Sequence, residues 1–220
     1  MPETQPQPET LSSEQLIADL KEQNRLLLEK IERLTFELDQ AKSEASTDFL
    51  TKLPNRKSLS YNLDIELEQV YRGNRLAVAM VDLDNFKRVN DKYGHAQGDQ
   101  IIKEFSNKMQ DQLRGSDIFG RFGGEEFLAL LPISQDTSVQ DIEKILNRYR
   151  DTAKTVNVTG NPVDEDFLSI SIGCVIVEKY NSLLPKEILN ETDQNLYHSK
   201  HNGRDQFTIS RIPSPPKNKD

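Results

Sequence analysis

A single thiol, Cys174, occurs in the 220 residues. It has no partner for an intrachain disulfide, which excludes a disulfide framework and a thiolate zinc site. Its place in the apolar run SISIGCVIVE is that of a buried structural side chain. Cationic excess is missing too: the net charge is −8, whereas general binders of nucleic acid or of anionic membranes depend on a basic surface. Both classes are set aside, and any anionic ligand must be met locally. No run of about 18 apolar residues is present to span a membrane. The opening MPETQPQPET is acidic and proline-rich, unlike a signal peptide, so a cytoplasmic location is expected. The ends, 1–11 and 212–220, have the composition of disordered tails. The 35% of hydrophobic residues suffices for one ordinary core plus an extension.

Proline and glycine are absent from Ser12 to Ala45, and there a heptad takes their place. Ile17, Asn24, Ile31, Leu38 and Ala45 occupy one position of the repeat, and Leu20, Leu27, Leu34 and Ala41 the other. This is a coiled-coil seam over 12–46. Isoleucine at a with leucine at d favours a parallel pair, and the single Asn24 at a fixes register, so a parallel homodimer is expected. Glu37 at g and Lys42 at the next e can pair between chains. The alternatives are one amphipathic helix lying on the rest of the protein, or a seam that recruits an unknown protein partner near the N-terminus. A DNA-binding zipper is excluded, since the segment before the seam, ETQPQPETLSSEQ, is not a basic helix.

From about residue 47 to 211 the pattern is mixed. RLAVAMVDLD, FLSISIGCVIV and QFTIS read as strands; AQGDQIIKEFSNKMQDQL, VQDIEKILNRYRDTAKTV and KEILNETDQNLYHSKHNG read as helices. DIFGRFGGEEF, 117–127, reads as a hairpin with glycines at its tip. Together these predict an α+β domain: a central, mostly antiparallel sheet flanked by helices.

Two acids, Asp82 and Asp84, close the first strand on one face, and Glu125 and Glu126 stand side by side at the hairpin tip. Each feature alone also suits a solvated strand end or turn. Set together they make an oxygen-rich cluster of the kind Mg²⁺ takes when phosphate oxygens complete its shell, which points to phosphoryl or nucleotidyl transfer.

The stretches DFLTKLPNR, VDLDNFKRVNDKYGHAQGD, RFGGEEF, SISIG and LYHSKHNGRD have the order and spacing of the GGDEF family of diguanylate cyclases, which the chain resembles over about residues 47 to 210. The resemblance implies a nucleotidyl-cyclase-like fold and a homodimer that condenses two GTP into cyclic di-GMP and two pyrophosphates. It implies two Mg²⁺ per site, with Mn²⁺ able to stand in, held by Asp82, the Leu83 carbonyl and Glu125. Glu125 is also the family's acceptor for the proton of the attacking 3′-hydroxyl, with Glu126 beside it. Gly123 and Gly124 let the triphosphate approach the backbone. Asn90 and Asp99 match the guanine readers, and the aspartate favours GTP over ATP because adenine lacks the donors it accepts. His95, Phe86 and Lys87 fall in the same nucleotide-binding stretch, and Lys200 and Arg204, four apart on one helix face, match the triphosphate contacts. Arg114 and Asp117 match the RxxD site at which product inhibits. Two positions depart from the family: Ser199 replaces alanine, and Asp205 replaces asparagine, adding an acid near the phosphates. A catalytically silent cyclic di-GMP-binding effector is the alternative, although such proteins usually lose hairpin acids that this chain keeps.

Overall fold

The computed structural model describes residues 13–159, 167–178 and 184–212. Contacts divide the chain between Ala45 and Ser46. In the first unit the chain runs as one helix, α1 (Ser13–Ser46). Its seam residues Ile17, Leu20, Leu27, Ile31 and Leu34 are 49–58% exposed, an apolar stripe that a lone helix has no means of burying. Glu37 pairs with Arg33 within the same helix, at 3.7 Å.

The second unit is built from α2 (Arg56–Tyr71), β1 (Arg75–Leu83), α3 (Phe86–Tyr93), α4 (His95–Gln110), β2 (Ile118–Gly123), β3 (Glu126–Ile133), α5 (Val139–Ala153), β4 (Ile170–Val177), α6 (Pro185–His201) and β5 (Phe207–Ile212). The sheet order is β2-β3-β1-β4-β5. All pairs are antiparallel except β4 with β5, which are parallel and joined through α6. Every residue of β1 is buried, as a strand covered on both faces must be. Ala77, Ala79, Val81 and Leu83 face a core shared with α3, α4 and α5, while Leu76, Val78 and Met80 face the core shared with α2 and α6. The α+β class with flanking helices is as expected.

Three details differ from the sequence reading. Helices α2 and α3 have no counterpart among the elements read there. Leu59, Leu63, Leu67 and Val70 do carry helical spacing on α2, and Asn55 caps it by accepting the Ser58 N–H. The C-terminal tail starts later than 212, because Ile212 pairs with Val177 at the end of β5. The rest of that tail and the whole of the N-terminal one lie outside the described residues.

Helix α6 sits directly on β4 because Gly173 has no side chain: a Cβ there would lie 2.2 Å from both Leu196 N and Thr192 O. Gly173→Ala is therefore expected to destabilise the domain by about 1–3 kcal/mol, towards the upper end since backbone must yield. Urea unfolding checks this, and an unchanged midpoint would show that α6 shifts freely.

Candidate active site

The end of β1 meets the tip of the β2–β3 hairpin. Asp82 lies opposite Glu126 in the register, and the Leu83 N–H donates to the Glu125 carbonyl at 3.3 Å. Gly123 pairs with Glu126, so Gly124 and Glu125 form a two-residue turn, and Gly124 takes φ +54°, a left-handed value that suits glycine. The two glutamates are thus not equivalent: Glu125 stands at the apex, while Glu126 opens β3. Nothing lies within 4 Å of where a Cβ would project from Gly123 or Gly124, which leaves the tip open to a ligand.

Asp82 is 5% exposed, and Lys200 Nζ of α6 contacts its Oδ2 at 2.7 Å. The Asp82 carboxyl is raised to about 6, chiefly by burial, with the Lys200 ammonium opposing and the Glu125 and Glu126 charges adding. Glu126 is raised as well, first by burial, with Lys200 opposing and Asp193 and Glu125 adding. Carboxylates crowded and desolvated in this way gain most from a divalent cation. Among the described residues no group of three or more His, Cys, Asp or Glu side chains forms a metal cage. Two carboxylates with main-chain oxygen nearby suit Mg²⁺, which keeps water and substrate phosphate in its shell.

Asp84 does not join the cluster. Its oxygens accept from Ser169 Oγ at 2.9 Å, Ser171 Oγ at 2.6 Å and the Asp205 N–H at 3.0 Å, so it braces the β4 and β5 ends instead. Asn85, at φ 54°, then turns the chain into α3.

On α3, Asn90 packs over Gly98 of α4, where a Cβ would lie within 1.9 Å of Asn90 Oδ1. That oxygen is buried and has no hydrogen-bond partner among the described residues. The bare Cα of Gly98 thus sets Asn90 beside the turn of α4 that carries the exposed Asp99. His95 opens α4 and is exposed, and Lys87 is exposed in the first turn of α3. Phe86 is 5% exposed and belongs to the core, so its backbone, at the start of α3, is what is left to meet a ligand.

Helix α6 ends at His201, so Lys200 and Arg204 do not share a helix face; Arg204 lies beyond it at φ 61°. The two still line one depression of about 320 Å³, together with Tyr197 and His201, whose rings stack at 3.8 Å. Asp205 adds less negative charge there than the sequence suggests. Lys154 and Arg150 of α5 hold its carboxylate at 2.7 and 3.1 Å. Ser199 is buried, donating to the Ile172 carbonyl at 2.8 Å, and so fastens α6 to β4.

At the far end of β2, Arg114 and Asp117 close a turn on themselves: Asp117 Oδ2 accepts the Arg114 N–H at 2.9 Å, and the Asp117 N–H donates to the Arg114 carbonyl at 3.0 Å. Arg114 lines a depression of about 320 Å³ with Thr137, Asp141, Lys144, Ile145 and Arg148. Arg148 escaped the sequence reading. Its Nε is buried and has no partner among the described residues, while Nη2 donates to the Gln112 carbonyl at 3.0 Å.

The family model for "Diguanylate cyclase, GGDEF domain" matches residues 45–206. The chain belongs to the GGDEF family. Diguanylate cyclase DgcP of Pseudomonas aeruginosa is 36% identical over 176 residues, 79% of this chain and 25% of DgcP, so the chain spans only part of that relative. Among solved structures, the coiled coil and GGDEF domain of DgcB from Caulobacter crescentus, in complex with c-di-GMP, superposes with a TM-score of 0.76 at 26% identity. The match covers 87% of this chain and 99% of that one. Diguanylate cyclase SiaD of Pseudomonas aeruginosa, in complex with its activator SiaC, gives 0.67 at 32% identity, covering 91% and 75%. In this GGDEF domain the signature reads Gly123-Gly124-Glu125-Glu126-Phe127.

Proposed function

We propose that the protein is a diguanylate cyclase, active as a homodimer, that condenses two GTP into cyclic di-GMP and two pyrophosphates. The observation that carries this reading is the meeting of Asp82, Glu125 and Lys200 at one corner of the sheet, with α3 and its Asn90 leading directly away from it. Divalent cations bound by Asp82, Glu125 and the Leu83 carbonyl would supply the charge that screens the triphosphate and acidifies the attacking hydroxyl. Glu125, at the apex of the turn, accepts the 3′-hydroxyl proton, and Glu126 holds the next position on β3 opposite Asp82. Asn90 and Asp99 orient the guanine, and a site built around those hydrogen bonds rejects adenine. Lys200 and Arg204 neutralise the phosphates, helped by the main-chain N–H groups of Phe86 and Lys87 at the start of α3. Each domain presents one GTP, so each 3′-hydroxyl attacks the α-phosphorus held by the other domain and releases one pyrophosphate.

Arg114 and Asp117 form the inhibitory site for the product, with Arg148 lining the same depression as Arg114. A guanidinium can make a bidentate bond to the O6 and N7 edge of guanine and also stack on its ring. Arg114→Ala is expected to leave the initial rate near that of the parent while raising the final yield of cyclic di-GMP several-fold. Full progress curves check this, and a parental plateau in the variant would remove the feedback site.

The test of the whole reading is incubation of the purified protein with GTP or ATP and Mg²⁺, with the nucleotides resolved by chromatography. Cyclic di-GMP from GTP, and no cyclic dinucleotide from ATP, is the expected result. A parent that is dimeric, binds GTP and makes no product overturns it.

A further inference from the structure

The loop that follows α1 is fastened to the hairpin tip by one side chain that belongs to neither. Residues 46–55 fold back on themselves. Thr47 bridges Pro54, the Asn55 N–H donates to the Ser46 carbonyl at 2.9 Å, and the Asp48 N–H donates to the Leu53 carbonyl at 2.8 Å. Asp48 Oδ1 accepts from the Thr51 N–H and Oγ, both at 2.9 Å. The loop lies flush on β2 because Gly120 has no side chain: a Cβ there would come within 2.3 Å of the Pro54 carbonyl oxygen. That oxygen accepts the Arg121 N–H at 2.9 Å.

The Arg121 guanidinium then works in two directions. Nη1 contacts Asp48 Oδ1 at 3.1 Å and Oδ2 at 3.3 Å, with the two side chains 12% and 15% exposed. Nε donates to the Gly124 carbonyl at 2.9 Å. A register shift between Arg121 and Gly123 takes up Phe122, and with it the side chain of Arg121 reaches the turn.

We propose that Arg121 is a positioning residue for the reaction: it holds the Gly124 carbonyl, and with it the peptide that enters Glu125, against the loop at 46–55. Stability alone gives no reason for this ion pair, since a nearly buried pair is often matched by apolar side chains of similar volume. The turn itself has the opposite need. Two consecutive glycines leave it loose, no described atom lies within 4 Å of where their Cβ atoms would project, and the apex carboxylate must be placed to a fraction of an ångström. The Nε bond supplies that constraint through the Gly124 carbonyl and leaves the space where the glycine Cβ atoms would project open for nucleotide. It also ties the apex to the residues that directly follow α1, so the entry of the chain into the domain and the placement of Glu125 share one side chain.

Arg121→Lys separates the two functions, because a lysine keeps a positive charge opposite Asp48 but lacks the fork that reaches Asp48 and Gly124 together. The rate readout rests on the cyclase reading; amide exchange of the tip peptide, followed by mass spectrometry, does not. The expected result is a kcat lower by about tenfold or more, with KM for GTP within about threefold of the parent, and faster exchange at 122–126. The melting temperature should stay close to that of the parent. Asp48→Asn, which weakens the anchor and keeps its shape, should move kcat the same way by less. A parental kcat in Arg121→Lys overturns the proposal, including when the melting temperature falls, since that pattern marks a structural role only. If the parent makes no product, the cyclase reading fails separately and the exchange decides: parental exchange at the tip in Arg121→Lys overturns the positioning role.

Discussion

Glu125→Ala is expected to lower cyclic di-GMP formation by about 10³-fold or more. The residue is asked both to accept the 3′-hydroxyl proton and to bind divalent metal, and general base catalysis alone contributes about 10²–10⁴-fold. Removing its carboxylate leaves the fold intact, since its link to β1 runs through the main chain, from the Leu83 N–H to the Glu125 carbonyl. The variant should therefore melt with the parent and remain dimeric while product disappears from the chromatogram. Glu125→Asp is the conservative control. It keeps a carboxylate at the apex, one methylene shorter, as the aspartate in the family's own signature does, and should retain far more activity than the alanine variant. A Glu125→Ala protein within tenfold of the parent would take the apex carboxylate out of the chemistry.

Deleting residues 1–45 is expected to lower specific activity by about 10²–10³-fold at micromolar protein. The exposed stripe of Ile17, Leu20, Leu27, Ile31 and Leu34 is read as the seam of a parallel pair, which tethers two domains at an effective concentration on the order of millimolar. The cut falls between the two contact units, and both cores of the domain are made only from residues beyond it. Without the tether, productive pairing becomes bimolecular, so the rate per domain should climb in proportion to protein concentration, whereas the full chain shows a flat dependence. Light scattering on the same samples gives the oligomeric state. Equal activity of the two proteins at low concentration would show that the domains pair without the helix.

Helix α1 was legible because a heptad repeats its signal many times, and the tip because Gly-Gly-Glu-Glu is unusual between two apolar strands. Strand β1 was equally plain, being apolar without a break from Leu76 to Val81. Helix α3 was hidden by its length: two turns hold too few apolar positions to establish a period. Arg121 and Arg148 were invisible for a different reason. A lone arginine has no local pattern, and the meaning of each rests on partners that folding brings up, Asp48 for one and the Arg114 depression for the other. Asp205 shows the converse error. Read locally it places an acid beside the phosphate contacts, whereas Arg150 and Lys154 arrive from α5 to neutralise it.

The parallel pairing of β4 with β5 has a consequence for biosynthesis. Asp82, Glu125 and Glu126 are all made before the crossover helix that carries Lys200, and β5 follows that helix. At ribosomal speeds of about 5–20 residues per second, the acidic corner waits on the order of ten seconds for its ammonium. During that interval the nascent chain lacks β5 throughout and β4 for most of it, and its carboxylates have no Lys200 ammonium to offset their repulsion. The cation that completes the corner arrives on the helix that leads into the last strand, so completion of the charge cluster directly precedes closure of the sheet, and a chain terminated before residue 200 lacks both.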